Sequence, residues 1–266
     1  MISKECSCYT TPGGSVPSTT IRTTTTKATT TAGGGATPTG LTTTLPASSG
    51  AVSSSAPITV KAGESFDGGM KNYDRSPKVC QEQTETGEDD TIFILEEGAT
   101  LSNVIIGPNQ AEGVHCKGTC TINNVWWQDV CEDAITFKQS SGTSYINGGG
   151  AFHASDKIVQ FNGFGTVQIQ NFYASDYGKV ARSCGNCSGN GKARSFALSG
   201  VVAVDGGVLC GINTNYGDTC TIADSCQDDG KDCDRYTGNA NGDEPTKIGS
   251  GPDGTYCKVS GFTETC

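Results

Sequence analysis

The chain has 266 residues, 37 of them glycine, and a formal net charge of −10 at pH 7. A protein this acidic is not expected to take nucleic acid as a general partner, because phosphate binding needs a basic face. The glycines, the many threonines and the short runs of valine and isoleucine favour strands and tight turns over helices. No apolar run of about 20 residues is present, so the sequence predicts no membrane span.

Fourteen cysteines indicate an oxidising compartment, and we expect a secreted, extracellular monomer. The first residues lack the apolar core of a secretory signal, so we expect that signal to lie upstream of this chain. Two close cysteine pairs, Cys116 with Cys120 and Cys184 with Cys187, have spacings near those of zinc sites. In a secreted chain we interpret them as disulfide partners.

Residues 1–56 are predicted to be a disordered leader and linker. From Thr10 to Ala56 the sequence consists mostly of Thr, Ser, Gly, Ala and Pro. Such a segment has too little apolar surface to offset the entropy of ordering. The folded domain is therefore predicted to occupy residues 57–266.

A recurring phrase runs through this domain: an apolar residue, a small polar one, Asn or Gly, and then more apolar residues. Asn103 and Asn124 hold equivalent places 21 residues apart, and Asn171 follows Asn124 after 47, about two further periods. Such a period matches one coil of a solenoid, whose coils bury their apolar faces by stacking. The repeat predicts an all-β, single-stranded parallel β-helix. The alternative is a β-sandwich, whose turns recur about every 8 to 12 residues.

The last part of the chain, from about Ala223 to Cys266, is rich in cysteine, aspartate and glycine. We interpret it as a disulfide-braced cap, because the open end of a solenoid needs covering.

Charged residues follow the same period as the apolar phrase. From Glu112 to Asp133 is 21 residues, from Asp133 to Lys157 is 24, and from Lys157 to Lys179 is 22. Stacked coils would gather these residues into one charged groove. Its predicted members are the carboxylates Glu112, Asp129, Glu132 and Asp133 and the cations Lys138, Lys157, Lys179 and Arg182.

The chemistry of this groove favours a calcium ion and an anionic substrate. Carboxylate ligands without nearby His or Cys suit Ca²⁺. A lysine abstracts protons only if its pKa falls toward the working pH. The permanently charged Arg182 suits a carboxylate clamp better than a base.

Seven ordered motifs between about Phe66 and Ile222 resemble the short secreted pectate lyases of polysaccharide lyase family 3, of the fungal type. They are F-D-G-G-M-K, L-E-E-G-A-T-L-S-N-V-I-I-G, E-G-V-H-C, V-W-W-Q-D-V-C-E-D-A, D-K-I-V-Q-F-N-G, G-K-V-A-R-S-C-G-N-C and G-I-N-T-N-Y-G-D. The resemblance implies a right-handed parallel β-helix. It also implies calcium-dependent β-elimination of (1→4)-α-D-galacturonan, the de-esterified form of pectin.

The resemblance also implies roles for individual residues. Glu112, Glu132 and Asp133, with Asp129, would bind calcium. Lys157, Lys179 and Arg182 would form the catalytic cluster, and Lys138 would bind substrate. Glu85 would contact substrate as a proton donor, with Glu88 as the alternative.

On this hypothesis Lys157 or Lys179 takes the proton from C5 of a galacturonate, while Arg182 and the metal stabilise the charge that develops. A lysine base predicts an alkaline optimum. Two alternatives remain open. One is a β-helix hydrolase of the polygalacturonase kind with paired carboxylates, and the other is a non-catalytic pectin-binding protein.

Overall fold

The structure is a computed structural model that describes residues 41–266. Residues 1–40 of the predicted linker lie outside the described residues. The described part contains eighteen strands and two short 3₁₀ turns, Glu88–Asp90 and Thr214–Tyr216. None of its helical segments is long and apolar enough to cross a membrane.

The strands, in chain order, are β1 (Ala51–Ser54), β2 (Ile58–Val60), β3 (Ser65–Arg75), β4 (Phe93–Leu95), β5 (Ala99–Ile106), β6 (Val114–Cys116), β7 (Cys120–Trp127), β8 (Asp133–Phe137) and β9 (Thr143–Phe161). The second half comprises β10 (Gly165–Gln170), β11 (Tyr173–Ser183), β12 (Arg194–Ser199), β13 (Val202–Asn213), β14 (Thr219–Ala223), β15 (Cys226–Gln227), β16 (Cys233–Thr237), β17 (Thr246–Ser250) and β18 (Cys257–Ser260).

These strands stack as the coils of a parallel β-helix. Strands β3 to β14 each pair in parallel with strands of the coils before and after them, as β5 does with β3 and β7. Only the β16–β17 hairpin is antiparallel in the described part. Long strands such as β9 bend around a corner and join more than one ladder of pairs. The predicted parallel β-helix is therefore confirmed, and the sandwich alternative is wrong.

The asparagines of the repeated phrase lie at one corner of the coil. Asn103, Asn124 and Asn171 have φ angles of 55, 51 and 52°. Among residues with a Cβ, asparagine tolerates this left-handed conformation best, and Gly200 occupies the same place in a later coil. Asn124 Nδ2 also donates to Asn103 Oδ1 at 2.9 Å, which links neighbouring corners. The repeat thus encodes a turn as well as a strand.

Stacked apolar side chains in the interior hold successive coils of the β-helix in register. The rings of Phe137, Phe161 and Phe196 follow one another at centroid distances of 6.3 and 5.7 Å, and Trp127 lies 6.4 Å from Phe172. All five are at most 2% exposed. Burying one such side chain stabilises the fold by roughly 1.5–3 kcal/mol. A coil that slipped out of register would lose this stabilisation.

Regular structure begins before the boundary that the sequence predicted at residue 57. Strand β1 pairs in parallel with β3, with Ala51 opposite Asn72, and the amide of Ser49 donates to the carbonyl of Met70 at 2.9 Å. These contacts use backbone groups, so they need little apolar surface. The prediction relied on apolar content alone and therefore missed this first strand.

Disulfides tie the final segment to the last coils. Cys226 is bonded to Cys266 and Cys233 to Cys257, which joins the β16–β17 hairpin to β18. The two predicted close pairs, Cys116–Cys120 and Cys184–Cys187, are also disulfides. With Cys80–Cys131 and Cys210–Cys220, all twelve cysteines of residues 41–266 are bridged.

Candidate active site

One ladder of parallel strands carries most of the predicted charged residues. This site ladder consists of β2, β4, β6, β8, the C-terminal parts of β9, β11 and β13, and β16. In its register Asp133 lies opposite Lys157, and Lys157 lies opposite Lys179. Since neighbouring strands are about 4.8 Å apart, three residues separated by more than 20 positions become direct neighbours.

A bulge shortens the interval between β9 and β11 from 23 residues, at Ala154 and Tyr177, to 22 residues, at Lys157 and Lys179. Tyr177 pairs with Ala154, but Lys179 pairs with Lys157, so β9 has one residue more than β11 between these points. Such an extra residue bends a strand and redirects a side chain. Asp156 lies in this bulge, next to both lysines.

Lys157 is surrounded by carboxylates. Its Nζ lies 3.6 Å from Glu132 Oε1 and 3.4 Å from Asp133 Oδ1, and it also donates to Asp156 Oδ2. Asp156 bridges the two lysines, because its other oxygen accepts from Lys179 Nζ at 3.1 Å.

The pKa values of these groups reflect burial and the pairing of opposite charges. Burial acts to lower the pKa of Lys157, but the carboxylates of Asp133, Asp156 and Glu132 outweigh it and raise the pKa above the usual lysine value. Burial raises the pKa of Asp133 well above its ordinary value, and that of Glu132 is raised for the same reason, although Lys157 opposes both shifts. Lys157 therefore offsets only part of the cost of burying Glu132 and Asp133 as carboxylates.

Three glutamates converge beside this ion-pair cluster. Glu85, Glu112 and Glu132 each offer one carboxylate oxygen, and the three oxygens lie within 4.8 Å of one another. Glu132 Oε2 is buried and accepts no hydrogen bond from any described residue, and Asp133 Oδ1 has only its ion-pair contact with Lys157. Because buried oxygens without donors are costly, this arrangement suits a hard cation such as Ca²⁺. The donor set fits the metal that the family resemblance implies.

Glu112 is held in place by its neighbours. Its Oε1 accepts from the amide of Thr86 at 2.9 Å and from the Thr86 hydroxyl at 3.0 Å, and its Oε2 lies 3.3 Å from His115 Nε2. Burial acts to raise the pKa of Glu112, yet these contacts with His115 and Thr86 lower it overall. Glu112 is thus kept as a carboxylate.

The loop that brings Glu85 and Thr86 to the site is fixed at both ends. Cys80 is bonded to Cys131, the residue before Glu132, and Gln83 Nε2 donates to the Cys131 carbonyl at 2.6 Å. At the other end Arg75 Nη1 donates to the carbonyls of Asp89 and Thr91 at 2.6 and 2.8 Å. The glutamate site depends on this loop.

The predicted substrate-binding lysine lies along the same ladder. Lys138 Nζ is 3.1 Å from His115 Nδ1 and 3.5 Å from Glu88 Oε1. Glu88 also accepts from Lys117 Nζ at 3.0 Å. The pKa of Glu88 is lowered, first by the hydrogen bond from Lys117. Glu88 thus pairs with two lysines and is not one of the three converging glutamates.

Arg182 is buried at the far end of the cluster, and it is held by neutral groups. Its Nη1 donates to Asn213 Oδ1 at 3.0 Å, and its Cζ lies 4.0 Å from the centroid of the Tyr236 ring. Burial lowers the pKa of Arg182.

Two cavities connect these groups. The first, about 330 Å³, is lined by Glu85, Asp156, Lys157, Lys179, Arg182 and Tyr236 among others. The second, about 240 Å³, has Glu85, Glu112, Asp133 and Lys138 in its wall. Glu85 borders both, so the converging glutamates lie between the cations Lys157, Lys179 and Arg182 on one side and Lys138 on the other.

The structure brings together all but one of the predicted residues. Asp129 is exposed and is not one of the three converging glutamates. It lies in the connection between β7 and β8. The sequence analysis missed Asp156, Thr86, Asn213 and Tyr236. For Asp156, its position next to Lys157 in the motif D-K-I-V-Q-F-N-G was an available indication.

Comparison with known proteins agrees with this fold. A family model described as Pectate lyase matches residues 42–243. The chain is 54% identical over 199 residues to a protein named "Probable pectate lyase F" from Aspergillus terreus, covering 74% of this chain and 85% of that one.

Solved structures of Erwinia chrysanthemi pectate lyase PelI also superpose on the chain. Its catalytic domain does so with a TM-score of 0.67 at 30% identity, covering 77% of this chain and 97% of that one. The complex of PelI with tetragalacturonic acid has a TM-score of 0.65, again at 30% identity, and covers 78% and 69%. The chain belongs to the pectate lyase family.

Proposed function

We propose that this chain cleaves de-esterified (1→4)-α-D-galacturonan by calcium-dependent β-elimination outside the cell. Its family membership supports the lyase reaction, and the PelI complex with tetragalacturonic acid supports a galacturonate substrate. Twelve bridged cysteines support an oxidising, extracellular setting. The observation that carries the proposal is the arrangement of three converging glutamates beside Lys157, Lys179 and Arg182.

Glu85, Glu112 and Glu132 would hold the calcium ion, with Asp133 beside them. In this assignment Glu85 is a calcium ligand and not the predicted proton donor, and Asp129 is not a ligand. When bound, calcium supplies a positive charge that draws electron density from the substrate carboxylate and acidifies the proton on the adjacent C5. Thr86 and His115 orient Glu112 for this purpose.

Lys157 and Lys179 are the two candidates for removing the C5 proton. Three carboxylates contact Lys157 and raise its pKa, whereas Lys179 contacts only Asp156 among the described carboxylates. A base must first lose its own proton, so the less heavily paired Lys179 is the better placed of the two. Lys157 would then balance the charge of Glu132 and Asp133.

The remaining cations suit the acidic polymer. Arg182 faces the same cavity as both lysines, and it stabilises the negative charge that develops on the carboxylate side of the sugar as the proton leaves. Lys138 borders the neighbouring cavity, where it binds the carboxylate of an adjoining sugar. Both roles depend on positive charge and need no proton transfer.

The test is the ultraviolet absorbance of the unsaturated product formed from polygalacturonate. Purified protein is assayed with calcium, with a chelator, and as Lys157→Ala and Lys179→Ala, with the exposed Lys258→Ala as the matched control. We expect absorbance to rise with calcium, to stop with chelator and in both site variants, and to be unchanged in the control. Reducing ends without absorbance would support a hydrolase, and binding without any product would support a non-catalytic protein.

A further inference from the structure

Arg182 is buried without an anionic partner. Arg182 is only 7% exposed. No carboxylate oxygen of the described residues lies within 4.0 Å of its guanidinium nitrogens. Buried cations are normally paired, because an uncompensated charge in the interior is costly. The lysines of the same cavity follow that rule, since both contact Asp156.

Two neutral groups take the place of a carboxylate partner. Asn213 accepts a hydrogen bond from Arg182 and is itself fixed, because its Nδ2 donates to the Cys184 carbonyl at 3.0 Å and to Asp218 Oδ2 at 3.2 Å. The second group is the ring of Tyr236, 4.0 Å from the guanidinium carbon. This distance is well within the range of an energetically significant cation–π contact.

Tyr236 comes from the C-terminal cap and not from the main coils. It lies on β16, which pairs in parallel with β13 and forms a hairpin with β17, and Cys233 on the same strand is bonded to Cys257. Its hydroxyl donates to Asp234 Oδ2 at 3.3 Å. The pairing of β16, the disulfide of Cys233 and the hydroxyl contact therefore fix the position of the ring. The ring forms part of the wall of the cavity that contains Lys157, Lys179 and Arg182.

We propose that Tyr236 is a positioning residue that holds Arg182 through its ring face while leaving the guanidinium charge available to the substrate carboxylate. The inference rests on the proposed lyase function. A carboxylate at the same place would fix Arg182 equally well but would compete with the substrate for its charge. An aromatic face attracts the cation through its quadrupole without adding a net negative charge. The cap thus contributes to catalysis as well as covering the end of the coil.

The experiment compares Tyr236→Phe, which keeps the ring, with Tyr236→Leu, which removes it. For a desolvated contact we expect kcat/KM for polygalacturonate to fall by roughly 10- to 30-fold in Tyr236→Leu. The loss should lie mainly in kcat, because Arg182 acts on charge that develops during the reaction. Tyr236→Phe should stay within about 3-fold of the wild type, since the hydroxyl contacts only Asp234 among the described residues.

Tyr256→Leu is the matched control for disturbance of the cap. Tyr256 is another partly buried cap tyrosine, but it packs against the core and has no contact with Arg182. Thermal unfolding of each variant checks that the cap stays folded. The proposal is overturned if Tyr236→Leu keeps wild-type kcat, if Tyr236→Phe loses as much as Tyr236→Leu, or if Tyr256→Leu loses as much. Failure of the lyase function itself would be seen separately, as absence of unsaturated product from the wild type.

Discussion

Replacing Lys157 with methionine would show how the charges of the site are balanced. Lys157 Nζ lies 3.6 and 3.4 Å from carboxylate oxygens of Glu132 and Asp133, and all three side chains are at most 10% exposed. Methionine keeps most of the volume of the side chain and removes the ammonium group. Two buried carboxylates would then lose their cation.

The structure allows the size of the effect to be worked out. Removing one partner of a buried ion pair costs about 3–5 kcal/mol. For a folded region of about 220 residues, 1 kcal/mol corresponds to roughly 2–4 °C in Tm, so Tm should fall by roughly 6–20 °C. The loss should be smaller in mild acid than at neutral pH, because Glu132 and Asp133 can then take up protons and become neutral.

Thermal unfolding followed by circular dichroism, in the presence of a chelator, measures this loss. Lys258→Met is the control, because Lys258 is exposed on β18 and its replacement should change Tm by no more than about 2 °C. An unchanged Tm in Lys157→Met at neutral pH, or an equal loss at both pH values, would refute the reasoning that Lys157 neutralises buried carboxylates.

Three further predictions concern the metal site, its pH dependence and its loop. Glu132→Gln should raise the calcium concentration needed for half-maximal activity by about 10-fold or more, whereas Asp129→Asn should change it by less than about 2-fold, as calcium titrations of the lyase assay would show. The raised pKa of Asp133 means that the folded protein binds an extra proton between the ordinary and the raised value. In chelator the free energy of unfolding should therefore fall as pH rises through that interval, which urea denaturation over a pH series measures. Arg75→Met should lower the free energy of unfolding by roughly 3 kcal/mol or more, because hydrogen bonds from a buried charged donor to the carbonyls of Asp89 and Thr91 are lost. Equal urea midpoints for this variant and the wild type would contradict it.

The sequence predicted the β-helix because its repeat has a physical cause in every coil. Asn103, Asn124 and Asn171 each occupy a left-handed corner, and the apolar residues after them enter the core. The same period predicted that Asp133, Lys157 and Lys179 would be neighbours, since successive coils are of similar length. Periodic features were thus accessible from sequence alone.

Features that do not follow the period could not be predicted from the sequence. Glu85 reaches the other two converging glutamates on a loop whose course depends on the Cys80–Cys131 disulfide, and the pairing of cysteines cannot be deduced from their spacing. Tyr236 reaches Arg182 through the parallel pairing of β16 with β13, across a segment that has lost the repeat. Asp129 is close in sequence to Glu132 and Asp133, but its side chain is exposed and lies outside the three converging glutamates.

The bulge in β9 also bears on how such an enzyme can diverge. A loop at a corner of the coil can gain or lose residues without altering which strand residues stack, so those loops are free to vary in length. Between Ala154 and Lys157 the extra residue of the bulge leaves room for Asp156, whereas β11 has one residue fewer there and still directs Lys179 into the same cavity. We therefore expect relatives to differ in length mainly at the corner loops.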